Sequence, residues 1–269
     1  MSQYLVALDD GHGMETDGKR TPPIPELGGR VIRENEFNRA VVNYLDIELR
    51  RCGIGTLLVA PTDTDTPLSV RTSLANSNNA DIYVSIHYNA YDSVFNDYDP
   101  EGLEIHIYPG TNRRLAECVL KYLIQGTSQR NRGIKESDFY VLRETNMEAI
   151  LTENGFMDNK REAMLMIDPN FQKEVACEHA KGICEYFGVP YVPESTALYR
   201  VQVGAYSVKE NAINMQNTLQ SYGYSSIIVW NDSLNVYRVQ VGAFSIRENA
   251  ENLKTELISK GFDAIIVVS

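Results

Sequence analysis

Positive charge is in short supply in this sequence: 25 lysines and arginines stand against 36 aspartates and glutamates, a formal net charge of −11. Nucleic acid is bound through its phosphates by a basic surface, so no nucleic-acid partner is expected. Long apolar runs are also missing. No stretch approaches the roughly 18–20 uninterrupted apolar residues of a membrane span, so no membrane partner is expected either. The opening residues, MSQYLVALDDGHG, carry no basic leader, apolar core or small-residue cleavage site. Synthesis in the cytoplasm without a signal peptide is therefore the expectation. Cysteine is sparse and scattered: Cys52, Cys118, Cys177 and Cys184 form no Cys-x-x-Cys pair. That distribution suits a reducing compartment and small core side chains better than a metal site. Histidine is equally sparse, with four in 269 residues.

What is present is enough apolar residue, 43% of the chain, to bury one large core and a second smaller one. Residues 1–188 alternate strand-like runs with amphipathic stretches: YLVALDD, Glu34 to Arg51, TLLVA, Leu68 to Asn78, DIYVSIH. This alternation predicts an α/β domain with a twisted, mostly parallel sheet flanked by helices. Over Glu34–Arg51 the apolar residues Phe37, Val41, Tyr44, Leu45 and Leu49 fall at helical spacing, and Cys52-Gly53 supplies the stop. Leu103–Tyr108 and Ala149–Glu153 read as further strands and Asn170–Phe187 as a closing helix. A linker with Pro190 and Pro193 is expected over 189–196.

Residues 197–269 hold an internal repeat. The segment 198–230 returns at 236–268 with 18 of 33 positions identical. Each copy reads as strand, Gly-Ala-aromatic-Ser turn, helix and short strand, so together they predict one small α+β domain of βαββαβ order with four strands backed by two helices. It carries six basic and six acidic residues, which leaves the whole −11 on residues 1–197.

Chemistry is expected at strand ends, where α/β folds place their sites. His12 follows YLVALDD and His87 follows DIYVS, each flanked by small or polar residues. Two such histidines and a carboxylate would make a catalytic zinc site with one position left open. Glu34 and Glu36, both opening the first long helix, are the candidates for the carboxylate, although an acid there also favours the helix dipole. Glu153 ends the apolar run Ala-Ile-Leu-Thr-Glu, just ahead of a turn glycine. A buried strand seldom ends in an unpartnered charge.

Four segments, Asp-Asp-Gly-His-Gly, Glu-Asn-Glu-Phe-Asn, Ser-Ile-His-Tyr-Asn and Leu-Thr-Glu-Asn-Gly-Phe-Met-Asp-Asn, resemble in order and spacing the zinc amidases of type 3, over roughly residues 3–188. The resemblance implies an N-acetylmuramoyl-L-alanine amidase, a peptidoglycan hydrolase that cuts between N-acetylmuramic acid and the L-alanine of the stem peptide. Carried over by position, it implies zinc on His12, Glu34 and His87, with Glu153 as catalytic acid/base. Glu34 is preferred to Glu36 because it leads its segment in the family's register. Asp10 stands where the family usually has proline and Asn35 where lysine is common, and neither departure is expected to touch a ligand. Arg71 resembles a family position and is read as scaffold or cleft lining; His106 and His179 are read as structural. Some members carry a plugging helix after the second zinc histidine. The fifteen residues from Tyr88 to Gly102 are too few for one.

The repeat resembles a SPOR domain, whose family binds peptidoglycan glycan strands. Its strand order is also that of RNA-recognition domains, but its central strands read Tyr-Arg-Val-Gln-Val-Gly-Ala, with one arginine each in a neutral domain. A monomer whose partner is peptidoglycan is expected, acting as a phage endolysin or a bacterial autolysin that reaches the wall after holin release or mother-cell lysis. The alternatives are a different zinc peptidase acting on stem peptides and a non-catalytic wall-binding protein.

Overall fold

A computed structural model of the chain describes residues 3–194, 198–244 and 247–268. It divides into two compact units, Met1–Pro193 and Glu194–Ser269. The parts of the expected linker and domain boundaries at 195–197, the turn residue Ser245 and the terminal Ser269 lie outside the described residues.

The first unit runs β1 (Leu5–Asp9), α1 (Glu34–Arg51), β2 (Gly55–Leu58), α2 (Leu68–Ser77), β3 (Ile82–Asn89), β4 (Leu103–Ile107), α3 (Arg114–Gly126), β5 (Asn131–Glu136), α4 (Tyr140–Arg143), β6 (Glu148–Phe156), α5 (Lys160–Leu165) and α6 (Pro169–Phe187). The sheet order is β2-β1-β3-β6-β4-β5. Strands β2, β1, β3 and β6 are parallel, and β4 runs antiparallel to β6 while pairing in parallel with β5. The sheet is therefore mixed, with a parallel block of four.

Period-two alternation sorts the strand side chains onto two faces. Val6, Leu8, Ile82, Val84, Ile86 and Ile150 join the large cluster made with α1, α3 and α6. Ala7, Tyr83, Ala149 and Leu151 join a smaller cluster with Ala75 of α2 and Val141 and Leu142 of α4. Helix α1 presents Phe37, Val41, Leu45 and Leu49 to the large cluster, each 0% exposed. A buried side chain of this kind contributes about 1.5–3 kcal/mol relative to exposure. Among the described residues no helix is long and apolar enough to cross a membrane.

The expected linker begins later than its prolines imply. Val189 and Tyr191 pack against the large cluster. The Tyr191 hydroxyl donates to Glu48 at 2.7 Å, and Val192 N–H points at Cys52 Sγ at 3.3 Å. Residues 189–193 thus belong to the first unit. The four cysteines are free thiols, three buried and Cys177 half-buried.

The second unit runs β7 (Tyr199–Tyr206), α7 (Lys209–Ser221), β8 (Ile227–Asn231), β9 (Val236–Phe244), α8 (Arg247–Ser259) and β10 (Ile265–Val268). Its antiparallel sheet has the order β10-β7-β9-β8. Val201, Val203 and Val239 face Ala212 and Leu219 of α7 and Ala250 and Leu257 of α8 in one small core. The opposite sheet face carries Arg200, Gln202, Val229, Arg238, Gln240 and Val267 around a groove of about 230 Å³.

Candidate active site

Strand register gathers the site before any loop contributes. Asp9 is the partner of Ser85 across β1 and β3, and His87 is the partner of Glu153 across β3 and β6. By alternation all four share the face of Ala7, Tyr83 and Leu151, the side covered by α2 and α4. At the carboxyl ends of the three parallel strands that covering leaves a cavity of about 220 Å³. It is lined by Asp9, His12, Lys19, Leu68, Arg71, His87, Phe139, Tyr140, Val141, Leu151 and Glu153.

His12 enters from the loop after β1, and Glu34 from the first residue of α1. Gly11 makes the turn into that loop at φ +67°, where a Cβ would come within 2.8 Å of His87 Cε1. A side chain there would push the second imidazole aside. Glu34 Oε1 lies 2.9 Å from His87 Nδ1, and its Oε2 is 3.7 Å from His12 Nε2. The two imidazole rings stand edge to face with centroids 5.0 Å apart. One ligand atom from each of His12, Glu34 and His87 falls within 4.8 Å of the others, so the three could hold a metal ion.

Glu36, the other candidate, points elsewhere. It accepts from Arg33 N–H at 2.9 Å and pairs with the Arg30 guanidinium. Asn35, expected to touch no ligand, does touch one: its amide donates to the backbone carbonyl of His12 and, at 3.3 Å, to that of Asp10. The short amide ties α1 to the loop that carries His12. Asp10 itself pairs with Arg39 at 2.8 Å.

The donor set suits a cation. Glu34 Oε2 and Glu153 Oε2 are buried and make no hydrogen bond among the described residues. Such atoms are costly unless something positive satisfies them. Burial works against ionisation of Glu34, but the hydrogen bond from His87 and the charges of His87 and Lys19 hold its carboxyl down at about 2. Burial lowers His12 to about 4, keeping that imidazole neutral as a ligand must be, whereas His87, although burial opposes its charge, is raised by the hydrogen bond to Glu34 and its charge and would give up a proton to a cation. Glu153 goes the other way, pushed up to about 8, chiefly by burial, with the Glu34 charge adding.

Asp9 and Glu104, both close to this centre, escaped the sequence reading, whereas Arg71, His106 and His179 stand as that reading placed them. Asp9, 0% exposed, pairs with Arg71 Nη1 at 2.9 Å, and Arg71 is itself 2% exposed. Arg71 also donates to the backbone carbonyl of Gly11 and to Asp65 at 2.6 Å, which makes it both scaffold and cavity lining. Glu104, the antiparallel partner of Glu153, accepts from Asn89 and Arg132. An acid inside an apolar strand was the available signal for both Asp9 and Glu104. His106 lies against Glu104, Ser137 and Phe139, and His179 is buried against Thr152 Oγ1 and Val175 O. Both are structural. The connection from Ala90 to Gly102 contains no helix.

The family model described as N-acetylmuramoyl-L-alanine amidase matches residues 6–185. The chain belongs to that family. A second model, the SPOR domain, matches 233–269, so the amidase unit is followed by a C-terminal SPOR domain of which the match covers the second copy. Among amidase relatives, the N-acetylmuramoyl-L-alanine amidase CwlM of Bacillus licheniformis is 36% identical over 231 residues, 85% of each chain. The sporulation-specific N-acetylmuramoyl-L-alanine amidase of Bacillus subtilis is 32% identical over 238 residues, covering 84% of this chain and 85% of the relative. The crystal structure of an N-acetylmuramoyl-L-alanine amidase from Clostridium difficile 630 superposes with a TM-score of 0.63 at 30% identity. It covers 70% of this chain and 98% of that one.

Proposed function

We propose that the chain hydrolyses the amide bond between the lactyl group of N-acetylmuramic acid and the L-alanine of the peptidoglycan stem, with zinc as cofactor on His12, Glu34 and His87. The observation that carries this reading is the meeting of those three ligand atoms within 4.8 Å of one another beside a cavity lined by His12, His87 and Glu153, with Glu153 in register beside His87. Two neutral imidazoles and one carboxylate are a usual catalytic zinc set. A zinc ion bound there supplies the positive charge that acidifies a water and polarises the amide carbonyl.

Glu153 accepts the proton of the attacking water and returns it to the departing amine. Its carboxyl, pushed up to about 8, holds a proton far more readily than a surface carboxylate and can still release it near neutrality. Asn35 and Gly11 fix the loop on which His12 sits, and Arg71 fixes it from below. With no helix between β3 and β4 to cover it, the cleft is open to polymer without an activator.

The SPOR domain holds the enzyme on glycan strands through the sheet face that carries Arg200, Gln202, Arg238 and Gln240. Tethering raises local concentration without altering the bond cut. The enzyme acts as a monomer. It is made in the cytoplasm and reaches the wall when a phage holin or the lysis of a mother cell releases it, as an endolysin or an autolysin.

Mass spectrometry of digested peptidoglycan tests the reaction. Free stem peptides with an L-alanine amine and glycan with free lactyl carboxyls are expected. Release of amino acids or shortened peptides would point to a peptidase instead, and no release to a binding protein. Glu153→Gln should retain stoichiometric zinc while turnover falls about 10²–10⁴-fold.

A further inference from the structure

Under the candidate metal centre lies a hydrogen-bond chain with one consistent direction. Asp9 is enclosed by donors. Its Oδ1 accepts from Arg71 Nη1 at 2.9 Å and Gly11 N–H at 3.2 Å, and its Oδ2 from the hydroxyls of Tyr83 and Ser85, both at 2.8 Å. A carboxylate beside a guanidinium has no proton to offer, so Ser85 gives Asp9 the one proton its hydroxyl owns. Ser85 Oγ then presents lone pairs to His87 Nε2, 2.9 Å away. A ring nitrogen meets a lone pair favourably only when it carries the hydrogen.

We infer that Ser85 and Asp9 are positioning residues for His87: the chain Asp9–Ser85–His87 fixes a proton on Nε2 and so reserves Nδ1 for the cation. The part that concerns the cation rests on the metal-centre reading above; the direction of the chain does not. Nδ1 is the nitrogen that faces Glu34 Oε1.

Reversing the chain fails on counting. With the Ser85 proton turned toward His87, two bare oxygens would face each other at 2.8 Å inside a site where Asp9 and Ser85 are both 0% exposed. That arrangement forfeits a buried hydrogen bond to a charged acceptor, among the costliest to lose. It would also leave Nε2 bare and confine the ring's hydrogen to Nδ1, where it bonds Glu34 Oε1 but bars a cation. Tyr83 cannot take over, because burial and the Asp9 charge push its hydroxyl well above its ordinary value and keep it a donor.

Metal-ligating histidines commonly donate their far nitrogen to a carboxylate or carbonyl, which sets the tautomer and raises ligand basicity. Here the carboxylate acts at one remove, through a serine. The wiring follows from strand geometry: Ser85 lies two residues before His87 and so on its face, and Asp9 is the in-register neighbour of Ser85.

Nitrogen-15 NMR of the full chain, labelled at histidine, tests the direction directly. An exchange-protected proton on His87 Nε2 is expected in both metal-free and zinc-loaded protein, with Nδ1 free of hydrogen in the loaded form. A zinc-loaded His87 protonated on Nδ1, or an unprotonated Nε2 in the metal-free chain, overturns the inference whether or not zinc is the native metal. By chelator competition Ser85→Ala should bind zinc about 10–100-fold more weakly, and Ser85→Thr, which keeps the hydroxyl, should recover most of that loss. Unchanged affinity in a folded Ser85→Ala protein overturns the positioning role. Failure of the unaltered protein to bind zinc sinks the metal reading instead, and the metal-free Nε2 signal still decides the chain. Should Ser85→Ala not fold, the NMR of the unaltered protein decides alone.

Discussion

The two units bury opposite kinds of side chain. The interior of the first holds charge: Asp9, Glu34, Arg71, Glu104 and Glu162 are each at most 5% exposed. The interior of the second is aliphatic, and Gln202, its one buried polar side chain among the described residues, lies on the other face of the sheet. A site that must hold and move protons needs groups shielded from water, so the first unit carries charges that cost stability unless each is partnered. Attachment to a polymer needs only an exposed face, which is where the second unit keeps Arg200, Arg238 and Gln240.

Arg71→Ala breaks this contrast most severely. It leaves Asp9 charged and enclosed without its guanidinium, at a cost of about 3–5 kcal/mol to the first unit. Denaturant unfolding followed separately for each unit should show that loss in the first alone. A loss below about 1 kcal/mol would mean that the enclosed charges are not what the first unit depends on.

Acid sharpens the same contrast. Burial lowers His179 to about 4 in the folded chain, against an ordinary 6.5, so below pH 6.5 the unfolded chain takes up a proton that the folded chain refuses. Stability is untouched above that pH, falls as pH drops from 6.5 to about 4, and then levels off, a total of roughly 3 kcal/mol. His179→Gln should remove this part of the slope. The second unit has no histidine, and its stability should show no such dependence in that window.

Leu257→Ala tests the aliphatic side. Leu257 is 0% exposed in a core of few residues, and truncation should cost the second unit about 2–3 kcal/mol. The unfolding of the first unit should not move, and a coupled shift would show that the units are not energetically separate. Removal of residues 194–269 should have the smallest effect at the active site: hydrolysis of soluble muropeptides unchanged, digestion of whole sacculi slowed. Equal slowing on both substrates would contradict a purely tethering role.

His12, His87 and Glu153 were legible in the sequence because each ends an apolar run with a polar side chain, which is conspicuous along one strand. Helix α1 was legible to its ends, Glu34 and Arg51, through apolar spacing and a glycine stop. Residue pattern alone left Glu34 and Glu36 open, since both begin the same helix turn; the family register favoured Glu34, and the fold turns Glu34 toward the imidazoles and Glu36 toward Arg30 and Arg33. The link from Asp9 through Ser85 to His87 escaped because it depends on register between strands distant in sequence. Strand β5, Asn-Arg-Gly-Ile-Lys-Glu, escaped because it is an edge strand with no apolar alternation. The reversal of β4 and the packing of Tyr191 likewise carry no local mark.

The sheet order of the second unit has one more consequence. Within each copy of the repeat the first and last strands are not neighbours: β8 of the first copy lies on β9 of the second, and β10 of the second on β7 of the first. The copies are therefore reciprocally interlocked, and a single copy has no sheet of its own. Its strands would present open edges. The duplicated sequence is the smallest stretch that can close, and opening the Asp232–Asn235 turn would yield two fragments able to fold only on one another. Two chains with one copy each could build the same sheet by exchanging strands about a two-fold axis. Here the turn makes that exchange internal, so the unit completes its sheet without a second molecule.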